Sequence, residues 1–538
     1  MTQSGTNIGF TAAFLPTTAD IASVRELARH GALPPDLPKL KTRLFGASLD
    51  LERYDTAIRK LETELSRLTS ERSALLSYTK LCRSVLSPIN TIPNELLAEI
   101  FGFCFPHELY QIADDTTTTN EVDRVSHHHL LQLAQVCSRW NRIAMHTPKL
   151  WSTIAVETVL WKRCPLKTDT LIELLESALS RGNIHPLTLR ISISTTRICG
   201  LVLQSLFRHS KRWKAVDFWS SAGPSGALTS MPSLDLAQLA TLYVDVESTW
   251  KDIRIFQNAP RLTKLAFTRD PEDLPLLPWG QIEAVTYDSL DTANAIHSMV
   301  SLLRMATNAL FFEIYLDVRD FEVLHDPSDL RFISPMRDLY IDLISPIDDD
   351  TAVAHLFDSL TLPDLESLDL GAAEDTLPPL WSATHFLVLA ERSGFESHLT
   401  ELAIYAVVSD VDLLRCIQVL SQLRKLIITE GPTPFVSDHF LRALSLNCDT
   451  VTPLVPNLST LTLRCALEFT DSVYVDFLVS RARPRVGDGA AFSANLRWLR
   501  TCNRQLSSEA LETIYQLMRD GGIVFQSGEY VPALHDWV

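Results

Sequence analysis

The sequence predicts an α + α/β chain, a helical N-terminal part followed by an α/β solenoid, and three observations carry that reading. A heptad pattern runs through residues 51–82, two apolar helical stripes followed by Leu150-Trp151 occupy residues 87–156, and a six-residue apolar unit recurs from residue 239 onward. At 538 residues the chain is too long for one hydrophobic core. Several domains, or growth by repetition, are therefore expected.

Residues 1–47 carry Gly, Thr and Pro punctuation, including Pro34, Pro35 and Pro38, and are expected to be a poorly ordered arm with one short helix around Ile21 to Arg29. From residue 48 to 86 the pattern changes. Leu51, Tyr54, Ile58, Leu61, Leu65, Leu68 and Leu75 follow alternating steps of three and four, with Arg72 and Thr79 on the same seam. This predicts a coiled-coil-like helix over residues 51–82. It serves either as a self-associating or partner-binding helix, or as a long helix folded back on its own domain.

In residues 87–156, Pro93 suits a first helical turn and Glu95 complements the positive helix end. Leu96, Leu97, Ile100, Phe101 and Cys104 then form one apolar stripe, and Leu130, Leu133, Cys137, Trp140 and Ala144 a second. The threonines and His127–His129 within residues 106–129 predict an exposed loop. Three adjacent histidines cannot aim at one metal from a regular element, so no metal site is expected there.

Beyond residue 157 helices are expected at Asp169 to Ser180, Thr292 to Met305, Val411 to Leu420 and Asp471 to Arg481. Between helices the unit with apolar first, fourth and sixth positions appears nine times. It reads Leu239/Leu242/Val244, Leu262/Leu265/Phe267, Ile282/Val285/Tyr287, Phe311/Ile314/Leu316, Met336/Leu339/Ile341, Leu365/Leu368/Leu370, Leu399/Leu402/Ile404, Leu423/Leu426/Ile428 and Leu458/Leu461/Leu463. Starts lie 20 to 35 residues apart, so residues 157–538 look like an irregular leucine-rich-repeat-like domain. An ordinary α/β sheet with helices between strands is the alternative.

Composition narrows function. The charge of −17 repels polyphosphate, which argues against nucleic acid as a partner, and the basic run Arg208 to Lys214 reads as a solvated helix end. No stretch approaches the roughly 20 apolar residues of a membrane helix, so no membrane role is expected. Residues Ile8 to Leu15 are too short and interrupted for a secretory h-region. Nine cysteines between Cys82 and Cys502 include no Cys-x-x-Cys pair, which fits free thiols in the cytoplasm or nucleus and an unused sequon at Asn457. No nucleophile elbow, phosphate loop, His-Glu-x-x-His or Gly-x-Gly-x-x-Gly is present, Gly487-Asp488-Gly489 and Ser225 reading as loop and turn. A catalytic site, a cofactor and a metal are accordingly not expected.

Ile92-Pro93, Glu95-Leu96-Leu97, Ile100-Phe101, Val136-Cys137-x-x-Trp140 and Leu150-Trp151 together resemble the F-box domain. With the preceding heptad helix and following repeats, the chain looks like the large F-box families of mushroom-forming fungi. It departs from the pattern in Ile92, where leucine is usual, and in its longer segment between the helices. The resemblance implies a substrate receptor of a cullin-RING (SCF-type) ubiquitin ligase, or a scaffold outside any ligase. It implies that a Skp-type adaptor, and through it cullin and RING subunits, binds Ile92, Pro93, Leu96, Leu97, Ile100, Phe101, Leu133, Val136, Cys137, Trp140, Leu150 and Trp151.

The client surface is read from the outward positions of the repeat units. Tyr243 with Asp245, Tyr315 with Asp317 and Tyr340 with Asp342 repeat one pair, Asp288, Asp369 and Tyr405 extend it, and Arg464 opposes it. Strands in register would align these as one aromatic and acidic face suited to a basic protein client. The plainer alternative is that tyrosine favours strands and aspartate solvates an exposed face.

Overall fold

The computed structural model describes residues 15–31, 36–104, 127–158, 167–193, 197–221, 229, 231–247, 249–289, 294–321, 332–344, 349–372, 376–431, 433–446, 454–482, 491–499 and 504–530. Residues 106–126 of the loop expected over 106–129, Ser225 and the Gly487-Asp488-Gly489 fragment lie outside them. The chain divides into two compact units, Met1–Leu97 and Ala98–Val538.

In the first unit, α1 (Thr18–His30) opens on a capping box between Thr17 and Asp20 and closes on Gly31, whose φ of 59° suits a residue without Cβ. Helix α2 runs from Leu37 to Val85, 49 residues, starting earlier than the expected boundary at residue 48. Pro38 explains the start, because a missing N–H costs nothing in a first turn. Leu51, Ile58, Leu61, Leu65, Leu68 and Leu75 are exposed along it, and Asp50 is its one buried residue. A 3-10 turn, Pro88–Thr91, leads to α3 (Asn94–Phe103).

Among the described residues the second unit is built on a sheet of fourteen strands, and every neighbouring pair is parallel. The strands are β1 (Thr153–Glu157), β2 (Leu187–Ile193), β3 (Trp213–Ser220), β4 (Thr241–Val246), β5 (Lys264–Phe267), β6 (Ala284–Ser289) and β7 (Phe311–Asp317). They continue, after the two-residue β8 (Phe332–Ile333), with β9 (Asp338–Ile344), β10 (Leu360–Thr361) and β11 (Ser367–Ala372). The last are β12 (Glu401–Tyr405), β13 (Lys425–Thr429), β14 (Thr460–Cys465), β15 (Phe492–Leu499) and β16 (Ile523–Tyr530). β8 and β10 pair with each other, and the remaining strands follow chain order across the sheet. A doubly wound α/β sheet would reverse its order at a switch point. The monotonic order is instead consistent with a solenoid-like arrangement.

The nine expected units correspond to β4, β5, β6, β7, β9, β11, β12, β13 and β14. One frame is corrected. Phe312 pairs with Leu339 and Ile314 with Ile341, so the β7 unit reads Ala309/Phe312/Ile314 rather than Phe311/Ile314/Leu316. Phe312, Ile314 and Leu316 are all buried, and a slip of two residues keeps every side chain on its face, so the alternation alone admits both frames. Connections obey length. Starts 20 and 23 residues apart leave room for turns, including Pro271–Asp273 and Trp279–Gln281, whereas wider spacings hold helices such as Ala295–Met305, Thr351–Ser359 and Asp410–Gln418.

Successive helices pack on one another, and polar interlocks join their ends. At the N-terminal ends, Asp410 accepts from the Ser437 hydroxyl at 3.0 Å, Asp438 from the Thr470 amide at 2.6 Å and Asp471 from the Ser507 amide at 2.7 Å. Each donor is the N-cap of the next helix, so the first residue of one helix fixes the start of its successor. Burial works to raise the carboxyls of Asp410 and Asp471, but hydrogen bonds from His439 and Ser437 to the first, and from Ser507 and Arg504 to the second, outweigh it and hold both below the usual range. At the C-terminal ends arginines do the corresponding work. Arg212 donates to Leu179 O at 3.0 Å, Arg392 to Phe357 O at 2.6 Å and Arg481 to Leu444 O at 3.0 Å, each binding a carbonyl in the last turn of the preceding helix.

Candidate functional site

Helix α3 presents two faces. Leu97 and Phe101, four residues apart, are buried, whereas Leu96, Ile100 and Phe103 are 56%, 44% and 78% exposed. Their spacing of four and three residues sets the exposed three in one stripe. Pro93, just before the helix, is exposed and Ile92 half-buried. Phe103 belongs to the exposed set although its spacing was not singled out from sequence.

In the second unit the apolar stripe Leu130 to Ala144 forms two helices instead of one, α4 (His127–Ala134) and α5 (Ser138–His146). His127–His129 begin α4 rather than ending a loop. The break has a local cause. Cys137 adopts extended backbone, its Sγ accepts from Trp140 N at 3.4 Å, and Asn141 Nδ2 donates to the Ala134 carbonyl at 3.2 Å. The N-cap of one helix and the C-terminal closure of the other are thus made by neighbouring residues. Val136 and Cys137, on this corner, are exposed, as is Leu131, while Leu133 and Trp140 are half-buried. The Phe101 and Trp140 rings meet at 5.0 Å between centroids. Lys149 pairs with Glu99 at 2.9 Å.

Leu150 and Trp151 lie in a 3-10 turn, Pro148–Trp151, and are buried. Trp151 Nε1 donates to Ala144 O at 2.8 Å, and the Arg181 guanidinium sits 4.8 Å from its ring centroid. The pairing of Ile154 with Leu189 and Val156 with Ile191 makes Trp151/Ile154/Val156 the first repeat unit of the sheet. Strand β1 therefore spans the expected boundary at residues 156/157. Leu97, Phe101, Leu150 and Trp151 have almost no surface left to offer a partner. Of the positions singled out from sequence, Pro93, Leu96, Ile100, Val136 and Cys137 are exposed.

Residues 89–157 match the F-box-like family model, within two residues of the segment delimited by its motifs. No curated protein matches the chain. The chain thus carries an F-box-like domain, which supports an F-box protein, followed by a long parallel sheet with intervening helices.

The outward positions of the sheet fall in rows. Asp288 pairs with Tyr315, Tyr315 with Asp342 and Asp342 with Gly371. Further along the same row Tyr405 pairs with Thr429 and Thr429 with Arg464. Asp217 pairs with Tyr243 and Trp219 with Asp245, and in the row of Asp217 and Tyr243 lie the paired Tyr340 and Asp369. The β7 frame shift moves Tyr315 into the row of Asp342 rather than that of Tyr340, and puts Asp317 opposite Ile344, one step beyond. A Cβ at Gly371 would stand 2.8 Å from Asp342 Oδ1, so a larger residue there would turn that carboxylate aside.

Tyr243 is buried, its ring 5.1 Å from that of Trp219, so it gives a client little surface. Asp317 is bound to Arg319 at 2.6 Å. Tyr315 donates to Glu313 at 3.0 Å, and Asp245 accepts from Thr268 at 2.9 Å. Arg464 is not alone in opposing the acids. Arg190 binds Asp217 at 2.9 Å, and Arg497 follows Arg464 in register. Burial pushes Asp217 up to about 6, against the pull of Arg190, and pushes Asp369 up to about 6 despite Arg464 and Lys425. Asp288 is raised by burial and by Asp245, and Tyr243 and Tyr315 are raised first by burial and then by the surrounding carboxylates. Carboxylates held half out of water and close together gain from an incoming cation.

Proposed function

We propose that this chain is the substrate receptor of an SCF-type ubiquitin ligase, contributing recognition and no chemistry of its own. The observation that carries the proposal is the F-box-like match over residues 89–157 coinciding with exposed Pro93, Leu96, Ile100, Phe103 and Val136. Such side chains gain burial only from a partner's helices, and a Skp-type adaptor is the partner that F-box domains generally bind. Pro93→Ala with Leu96→Ala and Ile100→Ala is expected to abolish adaptor recovery in a pull-down. Because all three side chains are exposed, the thermal transition should stay in place. Undiminished adaptor recovery refutes the assignment, and an adaptor recovered from the native chain without cullin would make the chain a scaffold.

The client side of the proposal is a basic protein segment held on the outward rows of the sheet. Asp245, Asp288 and Asp342 supply charge with Tyr315 and Tyr405 beside them, the last two carrying the aromatic part. Binding should weaken with salt. It should also weaken as pH falls through about 6, where Asp217 and Asp369 take up protons. Asp245→Lys with Asp288→Lys and Asp342→Lys should lose the clients captured by the native chain. Retention of the same clients with the same salt and pH dependence would remove the acidic rows from the account.

A further inference from the structure

The leucines and the isoleucine of the α2 seam are exposed, with Tyr54 and Cys82 half-buried among them, and the residues around the seam say what can cover it. At 1.5 Å per residue the 49-residue helix is about 74 Å long. Leu51, Ile58, Leu61, Leu65, Leu68 and Leu75 along it are 49–66% exposed. On the opposite side Thr56, Thr63, Ser70, Ser77 and Ser84 recur every seven residues, so the apolar seam has a polar back with the same period. That is the pattern of a helix with one partner-facing side.

Charge selects among partners. The positions beside the seam carry Asp55 and Glu62 on one edge and Glu64 and Glu71 on the other, against Arg83 near the helix end. Two copies aligned in parallel would set Glu64 opposite Thr69, Glu71 opposite Leu76 and Ala57 opposite Glu62, with no opposite charges facing, and would bring Arg72 onto Arg72 inside the seam. Two copies aligned antiparallel with matched layers would face Glu64 with Glu71. Arg67 bridges Glu64 and Glu71 within the helix, which fixes their carboxylates along the seam edge without supplying an intermolecular cation.

We propose that α2 is the docking helix for a different protein, an amphipathic helix with an aliphatic seam, Lys or Arg at its flanking positions and an acidic residue opposite Arg72. Each flanking ion pair contributes only a few tenths of a kcal/mol, but four acting together separate a basic partner from an acidic one by roughly tenfold in affinity.

The test uses the full chain and two synthetic peptides with the same leucine seam, one flanked by Lys and one by Glu, titrated at low and high salt. The expected result is tighter binding of the Lys-flanked peptide by roughly tenfold, diminishing with salt. Leu61→Asp with Leu65→Asp and Leu68→Asp should abolish binding, and Glu62→Lys with Glu64→Lys and Glu71→Lys should reverse the preference with helical content retained. Equal affinity for the two peptides, or binding of neither, overturns the proposal. So does a full chain that sediments as a dimer and becomes monomeric with Leu65→Asp, because the seam would then belong to a second copy.

Discussion

Trp151→Ala is expected to lower the stability of the second unit by about 3–5 kcal/mol, the range for removing a buried tryptophan. Three losses coincide at this position: a buried ring, its indole hydrogen bond to Ala144 O and the cation–π contact of Arg181. Trp151 is both the tryptophan of the Leu-Trp pair and the first apolar position of the first repeat unit. The damage should therefore be shared by α5 and by the β1/β2 edge of the sheet. Hydrogen exchange is the discriminating measurement. Faster exchange at Ile143, Ala144, Leu189 and Ile191 together is expected, and exchange quickened on only one of the two sides would show that the tryptophan does not join them. Trp151→Phe should restore most of the packing while losing the hydrogen bond, worth about 1 kcal/mol.

How far such positions can be read from sequence depends on the distance over which the signal acts. The helix at Asp471–Arg481 was legible to the residue, because its apolar spacing is local. The nine units with apolar first, fourth and sixth positions were legible as strands for the same reason. β2 was not, since its first position is Pro186, which is exposed. β15 has Ala491 and Ala494 where leucines would announce it, and β16 has Ser527 opposite Leu496. At β1 and β3 tryptophans, Trp151 and Trp213, hold the first place. Trp151 had already been read as part of another motif.

The F-box-like segment was legible from its motifs, the exposure of its side chains less so. Apolar periodicity marks which side chains leave water, but not whether their cover is the chain itself or a partner. Leu96 and Leu97 are adjacent and alike, and only packing makes one exposed and the other buried. Outward acids were visible, yet their rows required the register of β7, which a two-residue slip leaves undetermined. The interlocks were invisible. Their partners lie 27 to 37 residues apart, further than any capping motif reaches.

Glu430 is the largest of these long-range devices by expected effect. It follows β13, is buried, and accepts three backbone amides: Phe435 N at 2.7 Å and Val436 N at 2.5 Å on one oxygen, and Ala466 N at 2.7 Å on the other. Its own N–H donates to Arg464 O at 2.9 Å. One carboxylate thus closes the turn after β13 and ties it to the residue just past β14. Glu430→Ala leaves those amides without this acceptor, and at about 1–3 kcal/mol for each buried unmade bond a loss of roughly 3–6 kcal/mol is expected. Glu430→Gln should lose less, since its amide oxygen still accepts on one side while its NH2 meets a donor on the other. Burial raises the carboxyl above its ordinary 4.5, with the three amides pulling against it. A raised folded pKa means that the folded chain binds the extra proton more readily. This contribution is fully present below about 4.5, the unfolded value, and is lost as pH rises through the folded one. The native chain should show that slope and the Gln variant should lack it. Thermal unfolding between pH 4 and 8, with hydrogen exchange at Phe435, Val436 and Ala466, reads both effects. An alanine variant within 1 kcal/mol of the native chain, or amides that stay protected in it, would show that the carboxylate does not hold this turn.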